Sequence, residues 1–284
     1  MESVSTTVDV RRLVDRARRE GRSIGFVPTM GALHEGHTSL IEQARADGHF
    51  VVVSIFVNPL QFNDSNDLAS YPKSEKSDDE LCRSSGVDVL YLPQTASIYP
   101  VGFETRVVPG SIAEGFEGRH RAGHFEGVTT VVTKLFNMVQ PDVAYFGRKD
   151  HQQLAVVRRM VRDLDVRVAI VGCPTIREHD GLAMSSRNVK LTPSARPKAT
   201  ALYRSLQAAV GVLSSGGGVV DARKAGLEVL SSVDGLVVDY FELVHRDTLE
   251  PASDDQLEHV VILVAATIGG VRLIDNMDVT EGSS

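Results

Sequence analysis

The sequence predicts an α/β fold built on a doubly wound parallel sheet, and three observations lead to it. Short apolar runs alternate with helical patterns through the first half of the chain. Runs such as "FVVVSIFVN" are continuously apolar, which is typical of strands covered on both faces. The pattern then changes near residue 176. We therefore expect a Rossmann-like domain over residues 1–175 and a smaller α+β lid domain over residues 176–284.

The first β-α-β unit carries the clearest signals. "SIGFVPT" predicts a strand, "LHEGHTSLIEQARADG" a helix that ends at Gly48, and "FVVVSIFVN" a second strand. These elements form a β-α-β unit, whose two strands should be parallel and whose crossover should be right-handed. The runs "VDVLYLP", "PDVAYFG" and "VRVAIVGCP" repeat the strand pattern, with the helical stretch "DHQQLAVVRRMVRDLD" between the last two.

The second half of the chain has a different pattern. Two predicted helices flank the glycine-rich turn at residues 216–218, and "VVDYFELVH" and "HVVILVAATIGGVRLID" predict two antiparallel strands. Residues 63–80 are polar and predict a long loop that enters a helix. Loops of that length in a compact domain are often functional.

Composition narrows the classes of function. The chain has 30 Lys and Arg against 37 Asp and Glu, a net charge of −7, so it has no general attraction to nucleic acid or an anionic membrane. The N-terminal stretch lacks the apolar core of a signal peptide, and no apolar run is long enough to span a membrane. Cys82 and Cys173 lack paired spacing, which predicts reduced thiols in a cytoplasmic protein.

The stretch "PTMGALHEGH" occupies the first strand-to-helix turn, the place where open α/β sheets bind ligands. A helix start there presents unpaired N–H groups and a positive dipole end, which suit a phosphate. His34 and His37 are three residues apart and share one helix face, and Gly36 leaves the backbone beside them accessible. The pattern predicts a site for a nucleotide phosphate chain.

Two other interpretations of the histidine pair remain open on the sequence alone. Zinc-binding helices of the H-E-x-x-H type space their histidines by four rather than three, and no third ligand follows here. A hydrogen-bonded structural pair beside a turn glycine is the other interpretation.

Four sequence blocks connect the chain to a known family. "HEGH" resembles the H-x-G-H signature of the nucleotidyltransferase superfamily, which includes class I aminoacyl-tRNA synthetases. "FVPTMGALHEGH", "FVNPLQF", "HFEGVTTVVTKLFNMVQPDVAYFGRKDHQQL" and "DGLAMSSRN" resemble, in order and spacing, the pantoate–β-alanine ligases (pantothenate synthetases). The blocks cover residues 26–188, and the remaining residues match only in general character.

This resemblance implies ATP-dependent condensation of pantoate with β-alanine through pantoyl adenylate, with Mg²⁺ bridging the phosphates and a homodimer as the assembly. It implies an ATP site made from three segments. These are Met30, Gly31, Ala32, Leu33, His34, Glu35, Gly36 and His37; then Gly147, Arg148, Lys149 and Asp150; then Ile176, Met184, Ser185, Ser186 and Arg187. His34, His37, Lys149 and Arg187 are the expected catalytic set, with His37 as a candidate proton donor.

The chain departs from the family pattern at two positions. Arg148 stands where the family usually has glutamate, and Ala122 replaces the proline that usually follows the arginine at position 121. If Arg148 points inward, it adds positive charge near the phosphates. If it points outward, little changes.

Three neutral amides are the candidate ligands for the organic acids. Asn58 and Gln61 follow the second strand, and Gln153 follows a later one. Amides can hydrogen-bond hydroxyls and carboxylates without burying charge. The resemblance implies that Gln61 contacts pantoate and β-alanine, Asn58 the pantoate hydroxyl, and Gln153 pantoate. An Asn-Pro turn with an exposed Gln61 is the alternative, and Gln153 has a second interpretation as the capping-box partner of Asp150.

Asp78 is a candidate Mg²⁺ ligand, although an acidic first helical turn is the favoured explanation of this residue.

Three alternative functions stay open. A nucleotidyltransferase that adenylates a phosphate acceptor would need more cations in its acceptor pocket than these amides supply. A truncated tRNA synthetase is disfavoured by the acidic composition. A nucleotide-binding regulator without turnover is the third.

Overall fold

The computed structural model describes residues 1–63, 68–69, 71–72 and 74–280. The chain divides into two compact units. The first comprises Met1–Arg148 and Gln152–Pro174, and the second comprises Lys149–His151 and the chain from Thr175 onward. No helix among the described residues is both long enough and apolar enough to cross a membrane.

The first unit contains a six-stranded parallel sheet over its described residues, in the order β1-β4-β3-β2-β5-β6. Its strands are β1 Glu2–Val4, β2 Ile24–Thr29, β3 Phe50–Ile55, β4 Val89–Tyr91, β5 Val143–Gly147 and β6 Ala169–Cys173. Strand β2 lies between β3 and β5, so the direction of winding reverses beside it. Ligands of open α/β sheets bind at such a switch point. The predicted α/β class is confirmed.

Helices cover both faces of this sheet. They are α1 Thr7–Arg19, α2 Glu35–Ala46, α3 Glu75–Ser84, α4 Thr95–Ile98, α5 Phe116–His120, α6 His124–Val139 and α7 His151–Asp163, with 3-10 turns at Pro59–Gln61, Ser111–Ala113 and Arg148–Asp150. Phe26 of β2 packs in a core with α1 and α6, whereas its neighbour Val27 packs in a second core with α2. Successive strand residues point to opposite faces, so burial on both explains the continuous apolar runs.

The predicted long loop at residues 63–80 is only partly described. Its residues 64–67, 70 and 73 lie outside the described part of the chain, and α3 begins at Glu75.

The second unit holds α8 Arg196–Ala199, α9 Ala201–Ser214, α10 Val219–Ser231 and a 3-10 turn at Leu257–His259. Its antiparallel sheet, in the order β7-β8-β9, is formed by β7 Leu236–His245, β8 Val260–Ile268 and β9 Val271–Asp278. The last predicted strand is therefore two strands, a correction to the sequence interpretation. Gly269 and Gly270 both have positive φ, 57° and 77°, and form the two-residue hairpin turn between them.

Candidate active site

The two histidines form a reciprocal cap at the start of α2. His34 is the N-cap residue, with extended backbone, and its Nδ1 accepts the N–H of Gly36 at 3.1 Å. His37 Nδ1 accepts the N–H of His34 at 3.3 Å. This is a capping box in which both side chains are imidazoles. The ring centroids are 4.2 Å apart.

The cap assigns the tautomer of both rings. Because Nδ1 of His34 and of His37 accepts a backbone N–H, neither Nδ1 carries a proton. The single proton of each neutral ring is then on Nε2, at the far edge from the backbone. The helix start therefore presents two imidazole N–H donors from adjacent rings.

Three backbone N–H groups of this turn are hydrogen-bonded, whereas the sequence analysis expects unpaired N–H groups there. The N–H groups of Ala32 and Leu33 donate to the Asp78 carboxylate at 3.0 and 2.8 Å, and that of Gly31 donates to Thr29 Oγ1 at 3.3 Å. A part-buried loop must satisfy its own polar groups, which explains the difference. These three amides are therefore hydrogen-bonded within the protein.

Asp78 acts as a clamp on that loop. Its side chain is buried, and it also accepts a hydrogen bond from Ser74 Oγ at 3.1 Å. Gly31 has φ +84° and Ala32 has φ +51°, so the clamped loop is in the left-handed region at both positions. The Mg²⁺ role of Asp78 stays a prediction, and no group of three or more His, Cys, Asp or Glu able to hold a metal occurs among the described residues.

Asn58 orients Gln61. Asn58 is 1% exposed, and its Nδ2 donates to Gln61 Oε1 at 3.0 Å and to Gly127 O at 3.1 Å. Its Oδ1 accepts from Tyr99 Oη at 2.7 Å and from the backbone N–H of Leu60 at 3.3 Å. These bonds use the polar groups of the Asn58 amide, so the geometry favours a positioning role over the expected direct contact with a ligand hydroxyl.

Gln61 is buried, against the alternative of an exposed turn residue. The backbone carbonyl oxygen of Gln61 accepts hydrogen bonds from His124 Nδ1 at 2.9 Å and from Arg121 Nη2 at 3.4 Å. Its Nε2 contacts Met30 Sδ at 3.0 Å. Sulfur is a weak acceptor, so this amide nitrogen keeps the capacity to donate to a stronger one.

Glycine at position 127 permits the close approach of α6 to the Pro59–Gln61 turn. A Cβ at Gly127 would lie 2.4 Å from the carbonyl oxygen of Leu60, closer than carbon and oxygen atoms pack. The 3-10 turn therefore requires a helix residue without a side chain beside it.

The two adjacent glutamines after β5 have different environments. Gln152 is buried, with Nε2 donating to the carbonyls of Ile112 and Gly115 at 3.0 Å each and Oε1 accepting the N–H of Glu117 at 2.9 Å. It fixes the loop at residues 112–117. The half-buried Gln153 makes no side-chain hydrogen bond to any residue that the structure describes. Its amide is available to a ligand.

Arg148 lies against the sheet edge. Its Nε donates to the carbonyl of Gly172 on β6 at 3.0 Å. This hydrogen bond ties the guanidinium to the main chain of β6, and the effect of Arg148 on the phosphates stays a prediction.

Both cysteines are buried thiols. Burial raises the pKa of Cys82 to about 12, with the nearby Asp78 and Asp79 charges adding to the effect. Burial also raises the pKa of Cys173 to about 11, opposed by the charge of Arg148. Neither is a thiolate at neutral pH, so neither is a nucleophile.

Lys149 belongs to the second unit, where a hydrogen bond holds its backbone. Its carbonyl oxygen accepts a hydrogen bond from Asn276 Nδ2 at 2.7 Å, while its ammonium lies 3.3 Å from Asp150 Oδ1. The Lys149 side chain is 21% exposed.

The third predicted ATP segment, Ile176 with Met184 to Arg187, contains a short hairpin. The N–H of Met184 donates to Ile176 O at 2.9 Å, and Arg177 pairs with Ala183 as an isolated β-bridge. Ser185 Oγ accepts the N–H of Arg187 at 3.2 Å, which closes a turn after the hairpin. Ile176 and Arg187 therefore belong to one local structure.

Arg196 anchors this hairpin from α8. It pairs with Glu178 at 2.5 Å and with Asp180 at 2.6 Å. The hydrogen bonds from Arg196 lower the pKa of Asp180, so the carboxylate stays charged at neutral pH. Asn188 Nδ2 also donates to Glu178 Oε1 at 2.7 Å.

Three residues that form polar contacts in the structure were missed from the sequence: Tyr99, Asp275 and Asn276. The last two did carry a signal, because "LIDN" places two adjacent polar residues at the end of a predicted apolar strand, and both are buried in the structure. Buried polar groups require partners, and these partners lie elsewhere in the chain.

The sheet order and the histidine cap define an α/β protein of the H-x-G-H class. Comparison with known proteins then identifies the family. The family model described as pantoate-beta-alanine ligase matches residues 2–278, and the chain belongs to this family. The resemblance stated from the four sequence blocks is confirmed.

Relatives match over nearly the whole chain. A pantothenate synthetase of Thermus thermophilus is 50% identical over 280 residues, covering 98% of this chain and 99% of the relative. That of Pseudomonas putida W619 is 48% identical over 279 residues, covering 98% and 97%.

Solved structures agree with this fold. A crystal structure of the Thermus thermophilus pantothenate synthetase has a TM-score of 0.93 at 49% identity and covers 98% of this chain and 99% of its own. A pantoate-beta-alanine ligase from Francisella tularensis, complexed with beta-gamma ATP and beta-alanine, has a TM-score of 0.80 at 34% identity and covers 100% of both chains.

Proposed function

We propose that this chain is an ATP-dependent ligase that condenses pantoate with β-alanine and releases pantothenate, AMP and pyrophosphate. Family membership supports the reaction, and the ATP and β-alanine complex of the Francisella tularensis relative supports the two ligands. The observation that carries the proposal is the reciprocal cap of His34 and His37, in which Nδ1 of each ring accepts a backbone N–H and the proton of each neutral ring is therefore on Nε2.

The reaction requires activation of a carboxylate, because direct attack by an amine would have to expel oxide. In the first step, a pantoate carboxylate oxygen attacks the α-phosphorus of ATP, and the bond from that phosphorus to the pyrophosphate oxygen breaks. In the second step, the β-alanine amine attacks the acyl carbon of pantoyl adenylate, the bond to AMP breaks, and the amine loses a proton. No covalent bond to the protein is needed.

Electrostatic stabilisation of the phosphates is the proposed task of His34, His37, Lys149 and Arg187. The imidazoles donate from Nε2, and the two cations neutralise the charge that accumulates as pyrophosphate leaves. One preorganised donor of this kind typically contributes about 3–4 kcal/mol. His37 is the proposed proton donor. The turn residues 30–37, the Gly147–Asp150 segment, Ile176 and the Met184–Arg187 segment are the proposed ATP contacts.

Gln61 and Gln153 are the proposed ligands of the organic acids. Support comes from the Gln61 Nε2, which has only a sulfur acceptor among the described residues, and from the unengaged amide of Gln153. Asn58 takes part by holding the Gln61 amide oxygen. Correct alignment of two reactants can lower a barrier by about 7–11 kcal/mol.

Mg²⁺ is proposed to enter with ATP, where it would supply positive charge that stabilises the phosphates. Mg²⁺ commonly binds substrate phosphates and water with few protein ligands. The described residues fit that mode, because Asp78 already accepts hydrogen bonds from Ala32, Leu33 and Ser74. The family resemblance also leads us to propose a homodimer, and the two buried thiols support a cytoplasmic location.

A two-stage assay tests the reaction. The protein is mixed with Mg-ATP and pantoate, pyrophosphate is measured, and β-alanine is then added while AMP and pantothenate are followed. We expect pyrophosphate to appear only with pantoate, and AMP only after β-alanine. Pyrophosphate release that does not depend on pantoate would contradict the ligase, and transfer of AMP to a phosphate acceptor would favour the nucleotidyltransferase.

A further inference from the structure

The segment Lys149–His151 belongs to the C-terminal unit, although the chain on both sides of it belongs to the other unit. Two hydrogen bonds join this segment to later residues of the same unit. Asn276 Nδ2 donates to the Lys149 carbonyl at 2.7 Å, and His151 Nε2 donates to the Arg246 carbonyl at 2.8 Å. The backbone of Lys149 is thus fixed by residues far along the sequence.

Asn276 is itself rigidly placed. It lies on β9 and is 6% exposed. Its N–H donates to Asp275 Oδ1 at 2.8 Å, and its carbonyl accepts from Arg177 Nη2 at 3.0 Å. With its backbone held on both sides, Asn276 presents its amide in a fixed direction toward Lys149.

The neighbouring Asp275 holds the second site segment of this unit. Its carboxylate accepts two hydrogen bonds from Arg177, at 2.6 and 3.1 Å, and Asp275 is 3% exposed. Such a bidentate pair fixes orientation as well as distance. Arg177 follows Ile176 and also donates to Gly181 O at 3.1 Å across the hairpin. Two consecutive residues of β9 therefore contact both the Lys149 segment and the hairpin that begins at Ile176.

We infer that Asn276 is a positioning residue for Lys149: it fixes the backbone from which the Lys149 ammonium reaches the phosphates of ATP. This inference rests on the proposed function. A lysine side chain is a flexible four-carbon stem, so the place of its ammonium depends on how firmly the backbone below it is held. Loss of the hydrogen bond would widen the range of positions that the ammonium occupies and leave a carbonyl without its partner.

A double-mutant cycle tests this inference. Asn276→Ala, Lys149→Ala and the double variant are compared by kcat/KM for ATP in pantoate-dependent pyrophosphate release. We expect Asn276→Ala alone to lower kcat/KM for ATP by about tenfold or more and to leave the KM for pantoate unchanged. In the Lys149→Ala background, the same change should have almost no further effect, because a residue that acts through Lys149 loses its effect with it.

A matched control separates positioning from stability. Val271→Ala removes buried side-chain volume from the same strand without touching Lys149. It should lower the unfolding temperature yet leave kcat/KM for ATP within about twofold of the parent. The inference would be overturned if Asn276→Ala lowered kcat/KM for ATP by the same factor with and without the Lys149 side chain. It would also be overturned if Asn276→Ala lowered kcat/KM for ATP no more than Val271→Ala does.

The inference and the proposed function fail separately. If the unsubstituted chain releases no pyrophosphate with pantoate, the proposed function fails. The same cycle measured by equilibrium binding of ATP then decides the role of Asn276, with additive losses of affinity as the contradicting result.

Discussion

His37 Nδ1 accepts the backbone N–H of His34 at 3.3 Å, so the His37 side chain caps the start of α2, where His34 is the N-cap residue. The two rings are therefore linked through the backbone as well as by contact. One edge of each ring is used for folding, and the opposite edge is directed away from the backbone. The two functions of each ring can be separated by substitution.

Asparagine and glutamine at position 37 provide that separation. The asparagine oxygen can replace Nδ1 as the cap acceptor, whereas the longer glutamine places an N–H near the position of Nε2. We expect His37→Asn to keep the unfolding temperature near that of the parent and to lower pantoate-dependent pyrophosphate release by about a hundredfold. His37→Gln should retain more of that rate. A near-normal rate in His37→Asn would exclude the Nε2 donor from the reaction.

Gly31 and Gly48 form a matched pair. Both have positive φ, +84° and +83°, but a Cβ at Gly31 would lie 3.0 Å from Asp78 Oδ2 and Ile55 Cγ2, whereas a Cβ at Gly48 would meet no described atom within 4 Å. Each change to alanine should lower the free energy of unfolding by about 1 kcal/mol through backbone strain. Only Gly31→Ala should also reduce adenylation, because it displaces the Asp78 clamp. Equal rates in the two variants would argue against the clamp.

Tyr99 tests the positioning of Gln61. Removal of its hydroxyl in Tyr99→Phe takes away the 2.7 Å hydrogen bond to Asn58 Oδ1 while leaving the aromatic contacts with Phe56 and Phe103. Loss of one such bond corresponds to about 1 kcal/mol, so we expect the KM for pantoate to rise about fivefold and the KM for ATP to stay constant. Steady-state kinetics with each substrate varied in turn would distinguish this from a general loss, in which both constants rise.

The buried thiols should be inert in the folded protein. With pKa values raised to about 12 for Cys82 and about 11 for Cys173, neither is ionised at a mildly alkaline pH. A thiol reagent should therefore modify neither cysteine before unfolding and both after it. Rapid modification of the native protein that also abolishes activity would contradict the proposed mechanism, which uses no cysteine.

Features that depend on neighbours in sequence were predictable. Strand β3 was identified from one apolar run, and the histidine pair from a spacing of three residues. The helix start after β2 followed from the alternation of strands and helices, whereas the sheet order and the switch point beside β2 are known only from the structure. These local signals gave the fold class and the first site segment.

Features that depend on distant pairing were not predictable. Asp78 contacts Leu33 across 45 residues, and Asn276 contacts Lys149 across 127. No periodicity identifies such partners, because burial of a polar side chain shows only that it needs one. The hydrogen bonds of the Ala32 and Leu33 amides were missed for the same reason, since their acceptor, Asp78, lies on α3.

The central claim is that the pantoate carboxylate attacks the α-phosphorus of ATP, and isotope transfer tests it directly. Pantoate labelled with ¹⁸O in its carboxylate is converted to pantothenate with β-alanine and Mg-ATP, and the AMP and pyrophosphate are analysed by mass spectrometry. We expect one ¹⁸O atom in AMP and none in pyrophosphate. Unlabelled AMP, or label released as inorganic phosphate or pyrophosphate, would contradict a pantoyl adenylate intermediate.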